Sequence, residues 1–242
     1  MNTNASLERS KGESNSRAGI KKRGIQLVIQ ILVMAAILLI ASGQLDWVMA
    51  WIYLGIYVVG IGINSTILLR HNPELIAERA EMGPGTKGWD KILAILYGLV
   101  SGIGTLLIAG LDVRFGWSPE IPLTLRLIAL MAVVLGFALA SWAMLSNAFF
   151  ATTVRIQDER GHVVASGGPY QFVRHPGYAG WLLSGIATPL MLGSWWALIP
   201  AVLVGIFLVI RTALEDKTLQ EELDGYGEYA QKVPYHLVPG IW

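Results

Sequence analysis

Six apolar runs separated by short polar stretches dominate the chain, and their lengths predict membrane-crossing α-helices. A span needs roughly 20 apolar residues to cross the hydrocarbon core. The runs extend from Ile25 to Ser42, Trp47 to Leu69, Ile92 to Leu111, Leu123 to Ser146, Tyr178 to Leu192 and Trp195 to Ile210. The last two are short and joined only by Gly193-Ser194, which predicts a tight helical hairpin, tilted or marginally spanning. The expected fold is all-α: a polytopic membrane protein of about six transmembrane helices, including a short C-terminal hairpin, with a tail behind it.

The polar stretches carry their own signals. Asn72, Pro73 and Glu74 read as the capped start of a short surface helix reaching Glu81, ended by Met82-Gly83-Pro84-Gly85. Leu214 to Glu222 also reads as helix, broken by Gly225 and Gly227 before an extended end with Pro234 and Pro239. Gly98 and Gly102 form a small-xxx-small face, the pattern of close helix contact. Three segments are expected: a disordered basic tail over 1–23, transmembrane helices over 24–146, and a C-terminal unit over 147–242.

Composition supports this organisation. Of the 242 residues 54% are apolar and only 14% charged, too apolar for a soluble domain. A net charge of +1 gives no case for nucleic-acid binding, and the absence of cysteine excludes disulfides, thiolate metal sites and Cys nucleophiles. The four histidines show no spacing that groups them around a metal. The polar start followed by a long apolar run does not read as a cleaved signal peptide. Lys and Arg concentrate in the N-terminal tail, after run two (Arg70, Arg79, Lys87, Lys91), before run five (Arg155, Arg160, Arg174) and in the C-terminal tail. The other side has little beyond Arg114, with Arg126 just inside run four. Both termini are therefore expected in the cytosol.

The candidate chemistry lies on that side. Gly168-Pro169-Tyr170 precedes Arg174-His175-Pro176-Gly177-Tyr178 at the mouth of run five. Such groups are costly to desolvate unless used. Arg211 and Glu215 are four apart on one helical face, with Asp216 adjacent, and Tyr226 and Tyr229 follow.

Taken together, Gly-x-Tyr, Arg-His-Pro-x-Tyr, a helical hairpin, Arg-x-x-x-Glu and a Gly/Tyr-rich tail ending in Leu237-Val238-Pro239 resemble the isoprenylcysteine carboxyl methyltransferase family, over roughly Ala151 to Trp242. The resemblance implies S-adenosylmethionine as methyl donor and residues 147–242 as the catalytic core. Donor contacts would come from His162, Val163, Val164, Ala165, Tyr170, His175, Pro176, Gly177, Tyr178 and Glu215, and more loosely from the region of Arg155 or Gln157. Arg211 would meet the acceptor, making Arg211 and Glu215 the catalytic pair. The acceptor would be a lipid-like or prenylated molecule entering from the bilayer.

Residue chemistry is compatible. A carboxylate acceptor is already an anion at neutral pH and needs a cation to orient it, not a base. An amine acceptor would need a base, for which Glu215 or Asp216 is the nearby candidate. Lipid N-methyltransferases and NADPH-dependent membrane reductases of the sterol type share related C-terminal halves and stand as alternatives. A transporter is disfavoured because, apart from Arg126 near the end of run four, the runs hold no ionisable residue at mid-depth from which to build a relay.

Overall fold

The computed structural model describes the backbone from Thr3 to Trp242 and the side chains from Ser16 onward. Among these residues the regular structure is entirely helical. It comprises α1 (Thr3–Ser42), α2 (Val48–His71), α3 (Pro73–Glu78), α4 (Gly88–Leu99), α5 (Leu106–Phe115), α6 (Leu123–Leu145), α7 (Pro176–Leu192), α8 (Leu198–Glu222) and α9 (Tyr226–Lys232). A π-helical turn, Val100–Thr105, joins α4 to α5 in one continuous rod. Five rods are long and apolar enough to cross a membrane: Ser16–Ser42, Val48–His71, Gly88–Phe115, Leu123–Leu145 and Leu198–Glu222. Large apolar side chains such as Ile40, Val48 and Met131 face outward, as in a protein solvated by lipid. α7, at 17 residues, is roughly 26 Å long and is the short arm of the expected hairpin.

Two boundaries differ from the sequence reading. The apolar run ends at Ile210, but α8 continues unbroken to Glu222. Residues 211–222 contain no Gly or Pro and consist mostly of good helix formers, Glu and Leu foremost, so nothing stops the helix when hydrophobicity does. Arg211, Glu215 and Asp216 thus ride on the same rod as the last membrane run. The tail expected to be disordered over 1–23 is helical from Thr3; residues 1–2 and the side chains of 1–15 lie outside the described residues. Docking onto α3 explains the described part. A Cβ on Gly19 would stand 2.8 Å from Ala77 Cβ, so the glycine admits a close crossing. Lys22 Nζ reaches Glu81 at 2.6 Å and Gln26 Nε2 donates to Ala80 O at 3.0 Å.

The tightest helix contact is between α6 and α7. A Cβ on Gly136 would lie 2.5 Å from Gly180 O, and one on Gly180 equally close to Gly136 O, so the two backbones touch. Gly98 and Gly102, singled out as a packing face, have nothing within 4 Å of a built Cβ. Gly102 lies within the π turn and Gly98 just before it, where the α-helical ladder is interrupted.

The rods alternate in direction. At one end, Ser118 and Ser194 hydroxyls donate to Asp112 and Arg126 Nη2 donates to Leu192 O at 3.4 Å. The other end gathers the start of α1, α3, the start of α4, the loop 146–175, the C-terminal end of α8, and the tail.

Candidate active site

The tail is fastened to the Arg174-His175 dipeptide by backbone and side chain together. Arg174 N donates to Tyr235 O and His175 N to His236 O, both at 2.9 Å. Arg174 Nη1 donates to Val233 O and Pro234 O, both at 2.9 Å. The remaining arms meet Asp216 on α8, Nε to Oδ1 at 2.7 Å and Nη2 to Oδ2 at 3.1 Å. Asp216 also accepts from Tyr226 Oη at 2.8 Å and Gln220 Nε2 at 2.6 Å, with His175 Nε2 at 3.1 Å. Its two oxygens are saturated, which leaves no lone pair for base chemistry. His236 Nε2 lies 2.5 Å from Arg174 Nη2. A guanidinium can only donate, so this nitrogen accepts and the imidazole proton sits on Nδ1. Burial, reinforced by the Arg174 charge and only partly offset by Asp216, holds the His236 pKa below its usual value.

Arg211 and Glu215 do not pair with one another. Arg211 Nε donates to Asp90 Oδ1 at 2.7 Å and Nη2 to Asp90 Oδ2 at 3.2 Å, with Nη2 also on Thr152 O at 2.8 Å. Asp90 is completely buried in the first turn of α4, where the helix dipole favours a carboxylate, and it accepts Val154 N at 2.7 Å. The fork expected to meet an acceptor is thus occupied within the protein, and Arg211 offers its surroundings only Nη1. Its guanidinium lies over the Tyr178 ring, 5.4 Å from the centroid. The Glu215 carboxylate accepts from Tyr178 Oη and, among the described residues, makes no ion pair.

These groups wall a pocket that is partly open to solvent, with about 810 Å³ of unfilled space when that open solvent is included. Of the residues singled out in the sequence, His162, Val164, Ala165, Tyr170, His175, Gly177, Tyr178, Arg211 and Glu215 line it, as does Arg155. Val163 is exposed and points away; Pro176 is buried as the first residue of α7; Gln157 is buried and donates to Phe149 O at 2.8 Å. Loop geometry produces the convergence. Tyr229 Oη donates to Tyr170 O at 2.7 Å, joining α9 to the turn Gly168–Gln171. The His162 ring packs at a tilt against Phe149, centroids 4.5 Å apart, and burial, outweighing Asp158, keeps its pKa below the usual value. Tyr229 is pushed up to about 12 by burial, so it remains a protonated donor at neutral pH.

Sequence reasoning missed Asp90, Phe149 and Phe150. Asp90 had a signal: an acid two residues before Ile92 is an ion at the lip of a span, and such an ion needs a partner. The phenylalanines had none, because an aromatic pair at a helix end is ordinary.

Residues 127–221 match the sequence profile of the isoprenylcysteine carboxyl methyltransferase family. That stretch holds most of α6, α7, most of α8 and the loop between α6 and α7. Among curated relatives, protein-S-isoprenylcysteine O-methyltransferase B of Arabidopsis thaliana is 33% identical over 108 residues, 43% of this chain and 55% of that protein. The Xenopus laevis protein-S-isoprenylcysteine O-methyltransferase is 31% identical over 121 residues, 47% of this chain and 40% of the relative. The Homo sapiens protein is 30% identical over 121 residues, 47% and 41%. The chain thus spans about half the length of the curated relatives it matches. A solved structure of the eukaryotic intramembrane Ras methyltransferase of this family aligns over 92% of this chain and 98% of that one, at 18% identity and a TM-score of 0.46.

Proposed function

We propose that the chain is an integral-membrane, S-adenosylmethionine-dependent methyltransferase that methylates the carboxylate of a hydrophobic, isoprenylcysteine-like acceptor. Residues 147–242 form its catalytic core, and the end of the bundle that carries them, together with both termini, faces the cytosol. The observation that carries this reading is the convergence of His162, Val164, Ala165, Tyr170, Tyr178 and Glu215 on one pocket, within the stretch that matches the family.

The residues present suit the donor. Glu215 is a carboxylate without a cationic partner among the described residues, next to the Tyr178 ring, and both attract a positively charged ligand. When bound, S-adenosylmethionine supplies a methyl on a cationic sulfur; transfer breaks that C–S bond, forms an O–C bond and moves no proton. The protein's task is positioning and charge placement. Tyr170 and His162 border the polar wall, and Glu215 is held in place by the Tyr178 hydroxyl. Asp216, saturated by Arg174, Tyr226 and Gln220, is unavailable as a base, which leaves Glu215 as the one nearby candidate for an amine acceptor, whereas a carboxylate acceptor needs no base.

The test is titration of the detergent-solubilised full-length protein with S-adenosylhomocysteine and, separately, NADPH. Binding of the former, with a raised melting temperature, is expected. Glu215→Gln should weaken it roughly tenfold, the value of one charge-assisted contact. Binding of NADPH alone would replace this reading with a reductase.

A further inference from the structure

A second cavity adjoins the first. It is partly open, with about 770 Å³ of unfilled space when open solvent is included, and is walled by α1, α2, α3 and α6. Two arginines face it. Arg79, just after α3, donates Nη1 to Phe150 O at 2.9 Å and lies over the Phe150 ring, 5.5 Å from the centroid. Arg23, on α1, donates to Gln26 Oε1 at 3.4 Å. Among the described residues neither has a carboxylate within salt-bridge distance, whereas Arg155, Arg174 and Arg211 each hold one. Burial, and next the like charge of Arg23, push the Arg79 guanidinium down to about 10. Two neighbouring cations in a partly desolvated space, uncompensated by protein, describe an anion site. Asn64 Oδ1, a buried acceptor with no partner, can take a donor such as an amide N–H but not the anion itself. The remaining wall is apolar, with Leu27, Ile61, Leu68, Phe137 and Met144.

The two cavities share Phe150 and Trp181, packed edge to face with centroids 5.8 Å apart. On one side of that wall Glu215 lacks a cation; on the other Arg79 and Arg23 lack an anion. Arg211 cannot supply that cationic fork, because Asp90 holds it.

We propose that this second cavity binds the methyl acceptor as an amphiphile, its carboxylate held by Arg79 and Arg23 and its apolar chain lying along α2 and α6. The inference rests on the methyltransferase reading. It places the anionic oxygen of the acceptor at the Phe150–Trp181 wall, facing the pocket built for a cation. A carboxylate there is already ionised, so the arginines orient it and no residue need remove a proton.

The test uses full-length protein in detergent with two probes, N-acetyl-S-farnesylcysteine and its methyl ester, which differ only in the charged carboxylate. Wild type should bind the acid about tenfold or more tightly than the ester. Arg79→Gln should abolish that preference, weakening the acid roughly ten- to hundredfold, the loss of one or two charged hydrogen bonds. Ester and S-adenosylhomocysteine affinities should hold. Arg79→Lys should recover part of the preference, and Arg23→Gln should reduce it with an unchanged melting temperature. Equal binding of acid and ester by wild type, no binding of the acid, or an Arg79→Gln protein that keeps the preference would each overturn the proposal. If Arg79→Gln also loses S-adenosylhomocysteine, Arg23→Gln decides, and a retained preference there rejects it. Failure of wild type to bind S-adenosylhomocysteine is a separate result and sinks the methyltransferase reading instead.

Discussion

Arg211 on α8 and Asp90 on α4 form a buried two-point ion pair, Nε to Oδ1 at 2.7 Å and Nη2 to Oδ2 at 3.2 Å. The same two side chains hold the loop between them, Arg211 through Thr152 O and Asp90 through Val154 N. The pair is therefore the joint that sets the pocket wall against the hairpin. It is separated by 121 positions in sequence, so it also closes the N-terminal helices onto the C-terminal unit.

Breaking a buried pair strands an uncompensated charge and costs about 3–5 kcal/mol. Asp90→Asn should therefore lower the melting temperature sharply. Because the loop 152–154 lines the pocket, affinity for S-adenosylhomocysteine should fall with it. Arg211→Lys keeps the charge but loses the fork and should move both readouts in the same direction by less. Thermal melting and ligand titration on the two variants check this. An Asp90→Asn protein with wild-type melting would mean that the pair contributes nothing to the fold.

What the sequence disclosed follows from the range of the forces involved. Hydrophobic runs and caps act locally, so the helices, the Asn72 cap (Leu75 N to Asn72 Oδ1 at 3.3 Å) and the hairpin turn at Gly193 were legible. The two polar motifs were legible as a site because each is compact. Their partners were not. Arg211 and Glu215 are four apart and read as a pair, yet one turns to Asp90 and the other to Tyr178, because tertiary neighbours offered better geometry than the helix surface did. Glycine packing misled for the same reason. Gly98 and Gly102 have the spacing of a contact motif, but a motif needs a facing helix. Gly136 and Gly180 lie on different helices, so no spacing within either one reveals that they meet.

The Gly136–Gly180 crossing gives a sharp packing prediction. A methyl at either position meets backbone 2.5 Å away, and backbone cannot rotate aside. Gly180→Ala should push α6 from α7 and cost about 1–3 kcal/mol, the usual penalty for overpacking. Gly98→Ala, with open space around it, should be neutral within about 0.5 kcal/mol. Melting temperatures of the two variants in the same detergent separate them. Equal effects would mean that the α6–α7 contact is looser than described.

The tail clamp should respond to acid through His236. Its pKa lies below the free value, first because of burial and then because of Arg174. In the unfolded chain it titrates near 6.5. Below that pH the unfolded histidine takes up a proton that the folded one resists, so the unfolded state binds more protons and stability falls with falling pH. His236 therefore contributes its full share of stability above about pH 6.5, and that share is lost as pH falls toward the folded pKa. Protonation also ends the acceptance from Arg174 and places two cations side by side, which should loosen the strand that carries Tyr235 and His236. His236→Gln can still accept from Arg174 but does not titrate. Melting temperatures from pH 8 down to pH 5 should decline for wild type below about 6.5 and decline less for the variant. His162, also held below its usual pKa by burial, supplies a residual slope that the variant retains. Identical slopes for the two proteins would mean that His236 does not couple acid to the clamp, and that the tail is held by the backbone hydrogen bonds to Arg174 and His175 alone.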